Sequence, residues 1–186
     1  MKMPELIQRL ERCPVIPAVR DDQWQAALQS PSEVVFYLGA GLLTIRQRCA
    51  EARAAGKSLF VHIDLAEGIG KDREAIQFLA DCGVDGIIST RGQLIRSARE
   101  LGLMTVQRFF ALDSQGIESA REMLRSTESH LVEIMPGVIP KVIARFAAGG
   151  AGVIAGGLIE TKQEVTAALS AGAAAISTGR QELWYL

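Results

Sequence analysis

Three cysteines, Cys13, Cys49 and Cys82, are all that this 186-residue chain carries. They are isolated, odd in number and without a CxxC spacing, which excludes a disulfide framework or a zinc-cysteine site and leaves reduced thiols in or near the core. No HxH pattern occurs and no cluster of metal-ligating residues stands out, so no metal site and no metal cofactor is expected. No apolar run approaches the roughly 18 residues needed to cross a bilayer. The start, Met1 to Glu11, is charged and amphipathic and lacks the apolar core of a signal peptide. A cytoplasmic protein with no membrane partner is the expectation. An excess of charge of one sign is also missing. A net charge of −1 argues against a broadly basic nucleic-acid coat, while leaving room for a local basic patch.

What is present is a globular composition, 48% hydrophobic and 22% charged, in a chain long enough for one substantial core and too short for two. Short β-rich runs alternate with amphipathic segments from end to end. Strands are predicted near Val15–Val19, Val34–Leu38, Leu59–Asp64, Gly86–Ser89, Met104–Gln107, Leu131–Met135, Gly152–Ala155 and Ala174–Thr178. Helices are predicted over Asp22–Gln29, Thr44–Ala55, Asp72–Cys82, Gly92–Leu101, Gly116–Leu124, Pro140–Ala147 and Thr161–Ala171. Thr161 with Glu164 forms a capping box, Pro140 suits a first helical turn, and Gly56, Gly83, Gly102 and Gly172 sit just past helix ends.

This alternation spells an α/β fold, a compact (β/α)8 TIM-type barrel forming one domain over residues 1–186. The chain is shorter than the roughly 200 residues of small barrels, so each unit must be minimal or one helix missing. An open doubly wound sheet is the alternative. Gly39-Ala40-Gly41 begins like a dinucleotide fingerprint, but Thr44 stands where the third glycine belongs and no acidic ribose partner follows.

Two glycine turns follow the last two strands, one at Gly156-Gly157 and one at Thr178-Gly179. Small residues there let bare backbone N–H groups face an anion, the way a barrel's seventh and eighth units hold phosphate. A small phosphorylated metabolite is therefore the expected partner. Alternation along the third strand turns Phe60, His62 and Asp64 inward and Leu59, Val61 and Ile63 toward the helices. Arg20, Asp64, Thr90, Arg91, Gln107, Arg108 and Glu133 then gather near the strand ends, where barrel proteins keep their sites. His62 reads first as a satisfied core group. Asp64 and Glu133 are open both to ligand contact and to neutralising the arginines as rim ion pairs.

The segments Val15-Ile16-Pro17-Ala18-Val19-Arg20, His62-Ile63-Asp64-Leu65, Gly86 to Arg91, Gln107 to Ser114, Val132 to Pro140, Ala155 to Ile159 and Ser177 to Trp184 resemble, in order and spacing, the glycerol uptake operon antiterminator regulatory proteins. The resemblance runs over nearly the whole chain. It implies a bacterial, non-catalytic barrel with no cofactor, whose effector is glycerol 3-phosphate and whose partner is the leader mRNA of glycerol-utilisation genes. It puts the phosphate on Gly156, Gly157, Thr178 and Gly179. It makes Arg20, Asp64, Arg91, Gln107, Arg108 and Glu133 candidates for glycerol contact or signalling. Gly39-Ala40-Gly41 departs from the polar segment that the family usually carries after strand two, which bears on ligand identity.

No RNP, KH or OB pattern is present, so RNA contact rests on that resemblance, with Arg96 and Arg99 as the best local candidates and Arg46, Arg48 and Arg53 as a second basic stretch. The alternative is a small phosphate-binding barrel enzyme, an isomerase, epimerase or synthase using Asp64 and Glu133 as its acid and base. The absence of a nucleophile–base pair and of a well-placed lysine disfavours it. A homo-oligomer is left open. The apolar end Trp184-Tyr185-Leu186 is expected to close the barrel bottom, with a subunit contact as the other reading.

Overall fold

Alternation along the strands sorts the apolar residues into two cores that share a single sheet. In the computed structural model, which describes residues 1–186, Leu59, Val61 and Ile63 pack outward under the helices, while Phe60 packs inward with Ile16, Phe36, Ile88, Val106 and Ile154. The strands are β1 (Val15–Val19), β2 (Val34–Tyr37), β3 (Ser58–His62), β4 (Gly86–Ser89), β5 (Met104–Phe110), β6 (Leu131–Met135), β7 (Val153–Gly156) and β8 (Ala175–Thr178). Each pairs in parallel with the next, and β8 closes on β1. The closed barrel, not the open sheet, is the fold.

Helix α1 (Met3–Arg12) precedes the barrel, and α2 (Trp24–Gln29), α3 (Ile45–Ala54), α4 (Arg73–Cys82), α5 (Gly92–Glu100), α6 (Ser114–Thr127), α7 (Pro140–Ala147) and α8 (Lys162–Ser170) follow the first seven strands. After β8 only a 3-10 turn, Gln181–Tyr185, remains, so the eighth helix is the element that the short chain omits. The Thr161–Glu164 capping box forms as expected, and Gly56, Gly83, Gly102 and Gly172 all have positive φ.

The barrel floor corrects one expectation. It is α1 that closes the N-terminal end, with Leu6 and Leu10 buried in the inner core beside Val34, Met104 and Leu131. Burying two leucines contributes about 3–6 kcal/mol, which gives the amphipathic start a structural purpose. Trp184 lies instead in the outer core, donating from its ring nitrogen to the Thr178 carbonyl at the opposite end. Its indole N–H needs a partner when buried, and the end of β8 supplies one.

Two strand ends also shift. β3 stops at His62, and Ile63–Leu65 turn as a 3-10 segment, lifting Asp64 out of the barrel interior to the rim. β5 runs on to Phe110, three residues past its expected end, carrying Arg108 along the inner wall.

Candidate functional site

An opening at the C-terminal mouth has a volume of about 450 Å³ and is lined from β1, β2 and β5 to β8. Its edge is the turn after β7. Gly157 (φ 74°) and Leu158 (φ 60°) are both left-handed, a conformation natural for glycine and costing about 1–2 kcal/mol for leucine. Gly157, Leu158 and Gly179 have backbone N–H groups that donate to no protein acceptor. The first turn of α8 is different: Thr161 and Glu164 cap it, with Glu164 accepting from the Glu160 and Thr161 N–H groups. An anion is thus offered the glycine turns rather than the helix end.

Thr178 holds the two turns together. Its hydroxyl donates to the Ile159 carbonyl at 2.9 Å and accepts the Arg180 N–H at 3.1 Å. Arg180 also lines the cavity and pairs with Glu160 at 2.6 Å, both side chains being about half exposed. Such a pair is worth at most about 1 kcal/mol, so an incoming dianion can compete for the guanidinium.

Deeper in, Glu133 is 1% exposed and accepts from Arg108 Nε at 2.6 Å and from Ser177 Oγ at 2.5 Å. Gly156 leaves room for this cluster, since a Cβ there would lie 2.5 Å from Ser177 Oγ and closer still to Glu133. With Nε held from behind, the terminal nitrogens of Arg108, which have no protein partner, form part of the cavity wall. On β3, burial and the charge of Arg108 push the His62 pKa down to about 4, keeping the imidazole neutral. His62 is buried as expected but not satisfied, because its Nδ1 has no partner.

The remaining expected residues lie elsewhere. Asp64 accepts from Ser89 Oγ (3.0 Å), Thr90 N (2.7 Å) and Thr90 Oγ1 (3.1 Å), and pairs with Arg91 Nε at 3.5 Å. It staples the ends of β3 and β4 and does not line the cavity, so Asp64 and Glu133 do not face one reacting centre. Gln107 shares the outer face of β5 with Thr105 and Phe109. It is fully buried against α6, where it accepts from Thr127 Oγ1, so it is turned away from the mouth. Arg20 is exposed on the rim with its stem along Gly39. The Gly39-Ala40-Gly41 loop folds down onto the segment after β3, through Leu42 N–H to Glu67 O and Glu67 N–H to Ala40 O. Arg96 is exposed on α5, and Arg99 stands 3.6 Å from Glu128.

Among the polar residues lining the cavity, Ser177, Glu160 and Arg180 were not singled out from the sequence. Period-two alternation contained the first: Ala175 is inward, so Ser177 shares its face and Thr178 does not.

Comparison with known proteins identifies the family. A family model described as glycerol-3-phosphate responsive antiterminator matches residues 15–184. A glycerol uptake operon antiterminator-related protein from Thermotoga maritima is 34% identical, with a TM-score of 0.84 over 92% of this chain and 98% of that one. The glycerol uptake operon antiterminator regulatory protein from Listeria monocytogenes is 31% identical, with a TM-score of 0.87 over 91% of this chain and 94% of its own. A protein of Escherichia coli strain K12, YgcP, is 33% identical over 97% of this chain and 96% of its own length. The chain belongs to the glycerol-3-phosphate responsive antiterminator family.

Proposed function

We propose that the protein binds glycerol 3-phosphate in the mouth cavity and, so loaded, acts on the leader mRNA of glycerol-utilisation genes as an antiterminator, without catalysing a reaction. One observation carries this reading: unbonded N–H groups at Gly157, Leu158 and Gly179 share one cavity with a guanidinium, Arg108, whose terminal nitrogens are free. Backbone donors of this kind suit a phosphate. The short polyol would reach Arg108 and Ser177 at the floor, where both groups already lean on Glu133. No lysine lines the cavity to form an imine, and the single buried carboxylate is fully bonded to Arg108 and Ser177. Both facts favour holding a ligand over turning one over.

RNA contact is assigned to the exposed face of α5. Arg91 pairs with Asp64 at the mouth, and its carbonyl accepts from the Leu94 and Ile95 N–H groups that start α5, so mouth and helix share a residue. Calorimetry with glycerol 3-phosphate, followed by a gel shift on the leader RNA with and without it, tests the reading. Binding of the phosphate ester but not of glycerol, with tighter RNA binding in its presence, is the expected result. The double substitution Arg96→Ala, Arg99→Ala should spare the calorimetric signal and weaken the shift; no heat with the folded protein would overturn the effector assignment.

A further inference from the structure

Six of the nine large apolar side chains that this chain exposes sit on one face, on the segments that leave the C-terminal ends of the strands. Leu42, Leu43 (95% exposed) and Leu65 form a patch after β2 and β3, tied together by the Gly41–Glu67 bridge. Phe110 (53%) at the end of β5, Leu112 (85%) after it and Leu158 (68%) after β7 stand on the other side of the mouth. A stable interface buries roughly 800 Å² on each partner, and six large apolar side chains on one face would supply its apolar centre. Apolar residues grouped in this way, rather than scattered singly, mark an interaction surface.

We propose that this rim is a dimer interface with a second copy of the chain, and that ligand binding strengthens it. The partner's chemistry follows from the rim. Nucleic acid would need cations and stacking aromatics. Here Phe110 is the only aromatic among the six, and exposed Asp22, Glu67, Asp113 and Glu160 on the same face offset Arg20, Arg91 and Arg180. Leucine patches with charges of both signs are self-complementary instead. A two-fold relation lets the β2–β3 patch of one copy meet the β5–β7 patch of the other, and the reverse.

The linkage to ligand is built into the second patch and rests on the effector assignment above. Leu158 contributes one of the unbonded N–H groups of the cavity edge, and Phe110 follows Arg108 by two residues. A phosphate ester that holds both groups fixes the segments on which half of the rim stands. By reciprocity, dimerisation then tightens ligand binding by the same factor.

Sedimentation velocity over a concentration series, with and without glycerol 3-phosphate, tests this on the full chain, with calorimetry run in parallel. The expected result is a dimer whose dissociation constant falls at least about tenfold with the ligand. Replacing Leu43→Asp and Leu112→Asp together should abolish it while the thermal melt and the stoichiometry of ligand binding stay unchanged. A chain that binds the ligand by calorimetry yet stays monomeric overturns the proposal and leaves the effector assignment standing. So does a dimer indifferent to the double substitution. Loss of leader-RNA binding in a doubly substituted chain whose parent is monomeric overturns it in favour of an RNA surface. An absence of calorimetric heat overturns the effector assignment and the linkage together.

Discussion

At the β3–β4 end of the mouth the carboxylate of Asp64 receives bonds from two hydroxyls and a backbone N–H, and Arg91 stands beside it. Across the opening Glu133 accepts from Arg108 and Ser177, but the arginine it holds has no protein partner on its far side. Both ends of the mouth therefore place an acid and a cation at neighbouring strand ends. At the first, the protein satisfies its own charges; at the second it leaves donors open, at the turns after β7 and β8 and at Arg108. A closed network stabilises the fold, whereas open donors beside a cavity stabilise whatever fills it. Residue type alone does not separate the two cases.

The sharpest way to break that contrast is Glu133→Ala. It strands the buried Arg108 guanidinium and should cost about 3–5 kcal/mol of stability in urea unfolding, together with ligand affinity. If the loss is under about 1 kcal/mol, the pair is not buried as described. Next comes pH. His62 is held neutral with a pKa of about 4, below its ordinary value near 6.5, so the unfolded chain binds the extra proton first. Stability should fall as pH drops from about 6.5 to about 4, by an amount on the order of 2–3 kcal/mol, and His62→Gln should flatten that part of the profile.

Asp64→Ala should cost about 1–3 kcal/mol of stability by removing the acceptor for Ser89 and Thr90, yet leave ligand affinity within about twofold. Arg108→Lys should do the opposite. It keeps a positive charge near Glu133 but removes the planar fork, so affinity falls about tenfold, an effect of about 1.4 kcal/mol, with a smaller change in melting temperature. Equal effects of the two substitutions on affinity would erase the distinction between the two ends of the mouth.

The barrel was legible because each strand carries its period-two pattern in few residues and each helix its end signals, as with the Thr161 box and Gly172. The glycine turns were legible for the same local reason. Gln107 was misplaced because position near a strand end says nothing about face until the strand's phase is fixed. Met104 and Val106 set that phase inward for Arg108, as Ala175 does for Ser177. The staple role of Asp64 was legible only as one of two readings, since its bonds come from a neighbouring strand across a 25-residue separation. The closure by α1 was missed because an amphipathic helix shows that it has an apolar face, not what that face covers.

The subtlest test lies in the cavity edge itself. Leu158 keeps a left-handed backbone at φ 60° with its side chain 68% exposed, where a glycine would sit without steric cost. Leu158→Gly removes about 1 kcal/mol of conformational strain from the folded state, but it also widens the unfolded ensemble by a similar amount. The two effects oppose, so the melting temperature should barely move. Ligand affinity need not follow. A leucine fixed at this position holds successive N–H groups of the turn in place before the phosphate arrives, and glycine frees them. Affinity should therefore weaken by about two- to fivefold while stability stays level. A larger loss of stability than of affinity would mean that the turn serves the fold, as Asp64 does, rather than the ligand.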